Sequence, residues 1–518
     1  MILPSKSAHP EGEGSIIDQS IISDQVEVDT YDGKIFVEWE PNAAVTPLGQ
    51  LPFFIQFLKL GGRFEPWVDD CPLTYTSPNA PKKKDVLGSL FLSILSGHNR
   101  YAHMTALLSD GVNSKLLGMS KVVSDDSARR ALKKMDEEEG VSWLQQHLHG
   151  CYEPLLKFPW ILDCDVTVKP LYGKQEGADI GYNSHKPGRP SHTLHTYMVA
   201  NLRLVLDVEV QPGNQSNSKH SLPGLLDILN RLPESCRPKF VRGDCDWGSG
   251  PIMDELDEID QAFLFKVKRS PKVKELIYKH HCLGKWTRFK DGWEAKEDEL
   301  QCQGWSKARR AIIVRRQVEK NNTLLVEHKR SGQQALALVD EPEDIKLYEY
   351  SVLVTSLESD LISIVQHYRD RADCENIFDE IKNQWGWGGY TTRDIKSCRF
   401  MARTIALVYN WWNLFVRMTN SEEDGYQEAI TSKPLLLTGV GRLTESGRQK
   451  TMTITSHHGQ NEKVKGLFQK LDQFFCDLKA IAPQLGFQEC WCRILNKIIE
   501  KIIPTGVLGP PKLSPAMS

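Results

Sequence analysis

Near residue 158 the hydrophobic period of the chain changes, and this change most limits what the chain can fold into. Before it, from about 45 to 150, the spacing is mostly helical, as in "DVLGSLFLSILSGHNRYAHMTALL" (85–108). After it, "PWILDCDVTV" (159–168) alternates as a strand does. Leu162, Cys164, Val166 and Val168 fall on one face, and Asp163, Asp165 and Thr167 on the other. A Gly/Pro-rich basic loop, "GKQEGADIGYNSHKPGRPSH", follows. Then come two tightly joined strands, "HTYMVANL" and "RLVLDVEVQ", a helix over 222–232, a short strand running into a loop at "KFVRGDCDWGSG", a helix at "GPIMDELDEI" and a strand at 262–268. Three strands, then helix, strand, helix, strand, predict a mixed α/β fold whose sheet carries helices on its faces.

Other segments flank or interrupt this core. Residues 1–24 are polar and read as a flexible tail, and 25–157 as a mainly helical N-terminal region for DNA binding or assembly. Within that region "SDDSARRALKKMDEEEG" predicts a helix capped by Ser124 and carrying Arg129, Arg130, Lys133 and Lys134. A helix-turn-helix-like DNA contact and a solvated basic face are both open for it. The core's first part spans 158–269 and its second part 348–418. Between them, 270–347 is Trp-, Lys- and Arg-rich with short alternating runs, which predicts a β-rich insertion. Residues 266–316 hold 15 Lys/Arg against 6 Asp/Glu, a local excess of 15 − 6 = +9 that the net charge of −3 conceals. Residues 395–418 read as a buried helix, about 419–432 as a loop, and 419–518 overall as a helical C-terminal region with helices near 462–480 and 487–502.

No run of about 18 apolar residues appears, and the first residues lack a basic start followed by an apolar stretch, so the reading is cytoplasmic. Twelve cysteines without a C-x-x-C pair argue for reduced thiols and against a zinc site. His280-His281 and His457-His458 have no cysteines at ligand spacing and read as surface residues.

The stretch "HYRDRADCENIFDEIKNQW" (367–385) carries the chemistry. Treated as one helix at 100° per residue, it puts Tyr368, Arg371, Glu375 and Lys382 in one row beside the apolar stripe of Cys374, Ile377, Phe378 and Ile381. A carboxylate is a hard oxygen ligand for Mg²⁺, whereas Arg and Lys bind phosphate. Such a mixture suits metal-dependent phosphoryl transfer. An i, i+4 pair of Arg371 and Glu375 explains only part of the row. Further ligands are available in Asp165, in mid-strand, and Asp244, directly after a strand. Asp163, Asp246 and Asp379 remain rivals for the same role.

Tyr368-x2-Arg371-x3-Glu375-x6-Lys382 resembles the tyrosine–arginine–glutamate–lysine signature of bacterial insertion-sequence transposases with a DDE triad. "LDCDVTVKPLYGKQEGA", "GYNSHKPGRPSH", "VRGDCDWG" and "WGWGGYTTRDIKSCRFMARTIALVYNWWN" are similar to insertion-sequence family thirteen-eighty, a relative of family four, over about 85–418. The resemblance implies an RNase H-like catalytic core interrupted by a β-rich insertion. It implies Asp165, Asp244 and Glu375 as the catalytic, metal-holding triad, with two Mg²⁺ ions for which Mn²⁺ can substitute. It implies Tyr368, Arg371 and Lys382 as contacts to DNA phosphates, and Trp286, Trp293 and Trp305 as candidates for stacking on a flipped base, each alternatively a core residue of the insertion. It further implies double-stranded DNA partners (transposon ends and target), a homodimer in the synaptic complex, and a bacterial protein that is nucleoid-associated when bound to DNA. The activity implied is cleavage at terminal inverted repeats and joining of 3′-hydroxyl ends to target DNA, with or without a hairpin. A nuclease without strand transfer and a non-catalytic DNA-binding descendant are the alternatives.

Overall fold

A computed structural model describes residues 25–40, 42–183, 186–215, 217–282, 285–318, 347–421, 423–456 and 459–502. His457-His458 and residues 319–346 of the expected insertion lie outside the described residues. The chain divides into two units, Met1–Ala44 and Val45–Ser518. In the first, β1 (Gln25–Thr30) and β2 (Gly33–Glu38) form an antiparallel hairpin. Gly33, at φ 110°, takes a backbone conformation that a side chain would strain.

In the second unit, β3 (Val45–Thr46) is followed by helices that include Leu51–Leu60, Lys83–Leu95, Asp125–Lys134 and Glu137–Tyr152. Ser124 caps the third of these through the Ser127 N–H at 3.3 Å. Arg129 and Arg130 of that helix pair with Asp125 and Asp126, so part of its basic face is already neutralised.

The sheet begins with β4 (Leu162–Pro170), β5 (Ser191–Val199) and β6 (Leu204–Pro212). It continues with β7 (Val241–Gly243), β8 (Phe263–Lys266), β9 (Thr287–Arg288), β10 (Trp293–Leu300), β11 (Arg309–Val318) and β12 (Leu347–Thr355). Their spatial order is β6-β5-β4-β7-β8-β12-β11-β10-β9. β4, β5 and β6 pair antiparallel, whereas β7 runs parallel to both β4 and β8. Strands of the insertion therefore extend the same sheet, through antiparallel pairing of β12 with β8 and with β11. The insertion also contains a helix, Pro271–Cys282, that the alternating sequence did not announce. His280 on it is buried, with Nε2 2.6 Å from the Asp298 carboxylate, which corrects its reading as a surface residue. Its helix faces β10, and a carboxylate there accepts the ring.

β5 starts at Ser191, inside the expected loop, and all nine of its residues are buried. A short 3₁₀ turn and Arg203, at φ 54°, join it to β6. On one face lies the helix Ile395–Thr419, where Arg403 and Asp207 of β6 form a buried ion pair at 2.8 Å. Trp411 and Trp412 of this helix are core residues, and Trp412 meets Phe54 edge-to-face at 5.1 Å, a favourable arrangement of ring quadrupoles. A helix at Ala429–Leu436 occupies the end of the expected loop, and β13 (Gly441–Ser446) and β14 (Gln449–Ile454) form a hairpin that also pairs with β3. The last helices are Asn461–Ile481 and Phe487–Ile502.

The turn "GWGGY" (386–390) fixes how the chain leaves the site. Tyr390 donates its N–H to the Asn99 carbonyl at 2.7 Å. A Cβ on Gly389 would sit 1.8 Å from that same oxygen. Gly389→Ala is therefore expected to cost about 1–3 kcal/mol, the range for overpacking, because the clash is with backbone. Urea unfolding checks this, and an unchanged midpoint would contradict the close approach.

Candidate active site

The site is built on the polar face of β4. Successive residues of that face, Asp163, Asp165, Thr167 and Lys169, each meet a partner from another segment. Asp163 accepts two hydrogen bonds from the Arg242 guanidinium of β7 at 2.5 and 2.6 Å, and Arg242 also donates to the His367 carbonyl. Asp165 is ion-paired with Arg371. Thr167 Oγ1 lies 2.9 Å from Lys382 Nζ, and Lys169 donates to the Gly389 carbonyl. A buried charge is tolerated only when paired and hydrogen-bonded, and this row satisfies its charges one by one.

Parallel pairing of Cys164 with Gly243 brings Asp244 level with Asp165 at the end of β7. Burial pushes the Asp165 carboxyl up to about 7; Arg371 opposes this and the Asp244 charge adds to it. Burial also raises Asp244, while the Asp246 N–H, bonded to its Oδ1 at 2.9 Å, pulls it down. Like charges in a partly desolvated place are the usual setting for such shifts at functional sites. Among the rivals, Asp163 is committed to Arg242, Asp246 pairs with Lys268 at 2.6 Å, and Asp379 is exposed, accepting from Asn383 at 2.7 Å.

The stretch 367–385 is not one helix. Leu361–Arg369 and Ala372–Gln384 are separate helices, with Asp370 and Arg371 between them. At the junction the Arg371, Asp373 and Cys374 N–H groups bond carbonyls three residues back, to Tyr368, Asp370 and Arg371, so the turn tightens. Tyr368 thus belongs to the first helix and Glu375 and Lys382 to the second, which corrects the single row of the helical projection. Tyr368 still lies by the carboxylates: burial raises its hydroxyl pKa, Arg371 lowers it, and Asp244 and Asp165 add to the rise. Burial lowers the Lys382 ammonium, against the pull of Asp379. Arg371 keeps its Nε buried and without a hydrogen-bond partner among the described residues.

Glu375 is exposed, and among the described residues no three His, Cys, Asp or Glu side chains gather into a group able to hold a metal ion. Asp165 and Asp244 are thus two hard oxygen donors in mutual electrostatic reach, and the third carboxylate stands apart from them. As donors they fit a divalent cation, whose charge would offset their mutual repulsion.

Arg203 had no signal in the sequence. Its guanidinium bonds Asp373 at 3.0 Å, Glu380 at 3.4 Å and Glu428 at 3.3 Å and lies 4.6 Å over the Tyr426 ring. Asp373 and Glu380 project from the helix side opposite Glu375, so Arg203 grips the back of the helix that carries it. Tyr426 Oη, the Ala429 N–H and Trp385 Nε1 also donate to the buried Glu380 carboxylate.

The three tryptophans separate by surroundings. Trp286 has the Arg315 guanidinium 3.9 Å from its ring centre and a buried Nε1. Trp305 packs against Gly250. Trp293 lies under Arg316 and Arg369, at 5.0 and 5.4 Å, and Arg369 follows Tyr368 directly.

Asp165 on the face of β4 and Asp244 at the end of β7 thus stand beside cations, Arg371 from the helix junction and Lys382 from the second helix. Residues 80–476 match the family model described as Transposase DDE domain group 1, and the chain belongs to this family. No curated protein matches it. Among solved structures it is similar to the cryo-EM structure of the piggyBac transposase synaptic complex with hairpin DNA, at 11% identity and TM-score 0.39, covering 90% of this chain and 87% of that one.

Arg203→Ala is expected to destabilise the protein by about 3–5 kcal/mol, because it strands Glu380 without its cation. Glu375→Ala, at an exposed position, should stay within about 0.5 kcal/mol of the parent. Denaturant unfolding of both variants checks the pair, and equal effects would contradict the clamp.

Proposed function

We propose that the protein is a DNA transposase that cleaves DNA at the ends of an insertion sequence by metal-assisted phosphodiester hydrolysis and joins the 3′-hydroxyl ends to target DNA. The observation that carries this reading is the convergence of Asp165, Asp244, Arg371, Tyr368 and Lys382 around β4, in a chain of the DDE transposase family. The strand order, three antiparallel strands followed by two parallel ones, supports an RNase H-like core within the larger sheet.

Asp165 and Asp244 hold the divalent cations in this reading, and Glu375 completes the set. Glu375, one turn beyond Arg371 and two turns before Lys382, both of which contact β4, extends this set in our reading from the exposed rim of the second helix. When bound, Mg²⁺ ions supply charge stabilisation and a lowered pKa for the attacking water or 3′-hydroxyl. Arg371 and Lys382 orient the phosphate by charge-assisted hydrogen bonds. Tyr368 keeps its proton and donates to a phosphate oxygen. Trp293 is favoured over Trp286 and Trp305 as a base platform, because Arg369 joins it to the signature helix. Two DNA ends cut in one synapse call for a homodimer. No helix of the described residues is long and apolar enough to cross a membrane.

Glu375→Gln is expected to lower Mg²⁺-dependent cleavage of supercoiled plasmid by about a thousandfold while DNA binding stays. Persistent cleavage would remove Glu375 from the metal set. A duplex with a pre-cut 3′-hydroxyl end should join to plasmid DNA, and cleavage without any joined product would leave only the nuclease reading.

The pH dependence has a definite sign. Asp165 ionises as pH rises through about 7, and only the ionised carboxylate takes a hard cation. The Mg²⁺ concentration for half-maximal cleavage should therefore fall between about pH 6 and about pH 8. A constant half-maximal concentration would contradict Asp165 as a ligand.

A further inference from the structure

The loop between β4 and β5, described at 171–183 and 186–190, leaves the C-terminal end of β4, just beyond Asp165, Thr167 and Lys169. In open sheets with parallel strands, ligands approach at such strand ends. Its neck is fastened on several sides. The Leu171 N–H bonds the Pro190 carbonyl at 2.8 Å, and the Ser191 N–H bonds the Asp179 carbonyl at 3.0 Å. Glu176 donates its N–H to the Arg393 carbonyl at 2.8 Å and accepts the Ile395 N–H at 3.1 Å, while its own carbonyl lies 2.8 Å from His192 Nε2. Gly181 passes so close to Gly213 that a Cβ would sit 1.8 Å from the Gly213 oxygen.

A loop held this firmly has no need to leave large apolar groups in water. Yet Tyr172 is 69% exposed, Ile180 64% and Tyr182 86%. Cations stand beside them. Lys186 Nζ lies 5.1 Å and the Arg189 guanidinium 5.0 Å from the Tyr172 ring centre, and Lys186 also bonds the Tyr172 hydroxyl. Exposed rings interleaved with cations are the composition that takes nucleic acid, with bases stacking on the rings and phosphates on the cations.

We propose that this loop is a DNA-binding element: Tyr182 and Ile180 pack against bases exposed at a DNA end or wedged open within the stack, and Tyr172 with Lys186 and Arg189 forms an adjoining ring-and-phosphate contact on DNA leaving the catalytic face. It rests on the transposase reading in that DNA must pass β4. Free DNA ends and uninterrupted duplex share this chemistry, so the test treats them separately.

Full-length protein and the variants Tyr172→Ala/Tyr182→Ala and Lys186→Ala/Arg189→Ala are compared, after thermal melts show each folded. The probes are a fluorescein-labelled duplex of mixed sequence ending in a 3′-hydroxyl, and supercoiled plasmid. The aromatic variant is expected to bind DNA about tenfold more weakly with its salt dependence retained. The cation variant should lower the slope of log Kd against log salt by about 1 to 2. Loss with the end-bearing duplex assigns the loop to DNA ends, and loss confined to the plasmid assigns it to uninterrupted duplex. Binding of both probes at the parent's affinity by both variants overturns the proposal while leaving the transposase reading intact. A shift in the monomer–dimer equilibrium with DNA affinity unchanged also overturns it, making the loop a subunit contact. A parent protein that binds neither probe sinks both readings.

Discussion

The pairing of the polar face of β4 with cations and carbonyls from elsewhere in the chain is the constraint on which the site depends. A central strand has neighbours on both edges, so its side chains face only the two sides of the sheet. Here one side is apolar and the other ionic. Arg242, Arg371 and Lys382, together with the Gly389 carbonyl, answer Asp163, Asp165, Thr167 and Lys169 in order. These contacts bring the two helices after residue 360 over the strand. Without them the strand would carry uncompensated buried charge, which costs several kcal/mol per ion.

Around this row the structure divides rigidity from access. Asp163 and Arg242 are both buried and close the inner end, with Arg242 also holding the carbonyl of His367. Arg203 fixes the second helix from behind, through Asp373 and Glu380, and leaves the side bearing Glu375 open. The insertion strands add a surface beside the first helix, where Arg369 links Trp293 to the neighbourhood of Tyr368. Part of its positive excess is spent internally, because Arg288 and Arg315 pair with Glu294, and Lys279 with Asp298.

Period and polarity made much of this readable. Alternation along 159–168 put Asp163, Asp165 and Thr167 on one face, and the same three residues take partners there. What sequence could not supply was long-range pairing. Nothing local to "FLFK" or "YSVLVT" states that β8 and β12 are neighbours, so the insertion's membership of the main sheet was hidden. The helical projection of 367–385 assumed continuity, and the break at Asp370–Arg371 has neither proline nor glycine to mark it. Arg203 lies about 170 residues before Asp373 in sequence, and its left-handed backbone and three-carboxylate grip leave no local pattern. His280 looked like a surface residue because its partner, Asp298, sits on a different element.

In the proposed reading, the contact between Arg371 and Asp165 couples the two ligands of the site. One guanidinium serves a carboxylate in the free protein and a phosphate in the complex, and one carboxylate serves that guanidinium or a cation. Each incoming ligand releases the group the other one needs. Nucleic acid and metal are then thermodynamically linked through this single pair, and each strengthens the binding of the other by the same factor. In that reading the protein resists loading with cation alone and takes it up fully only when a phosphate-bearing substrate has drawn Arg371 away from Asp165.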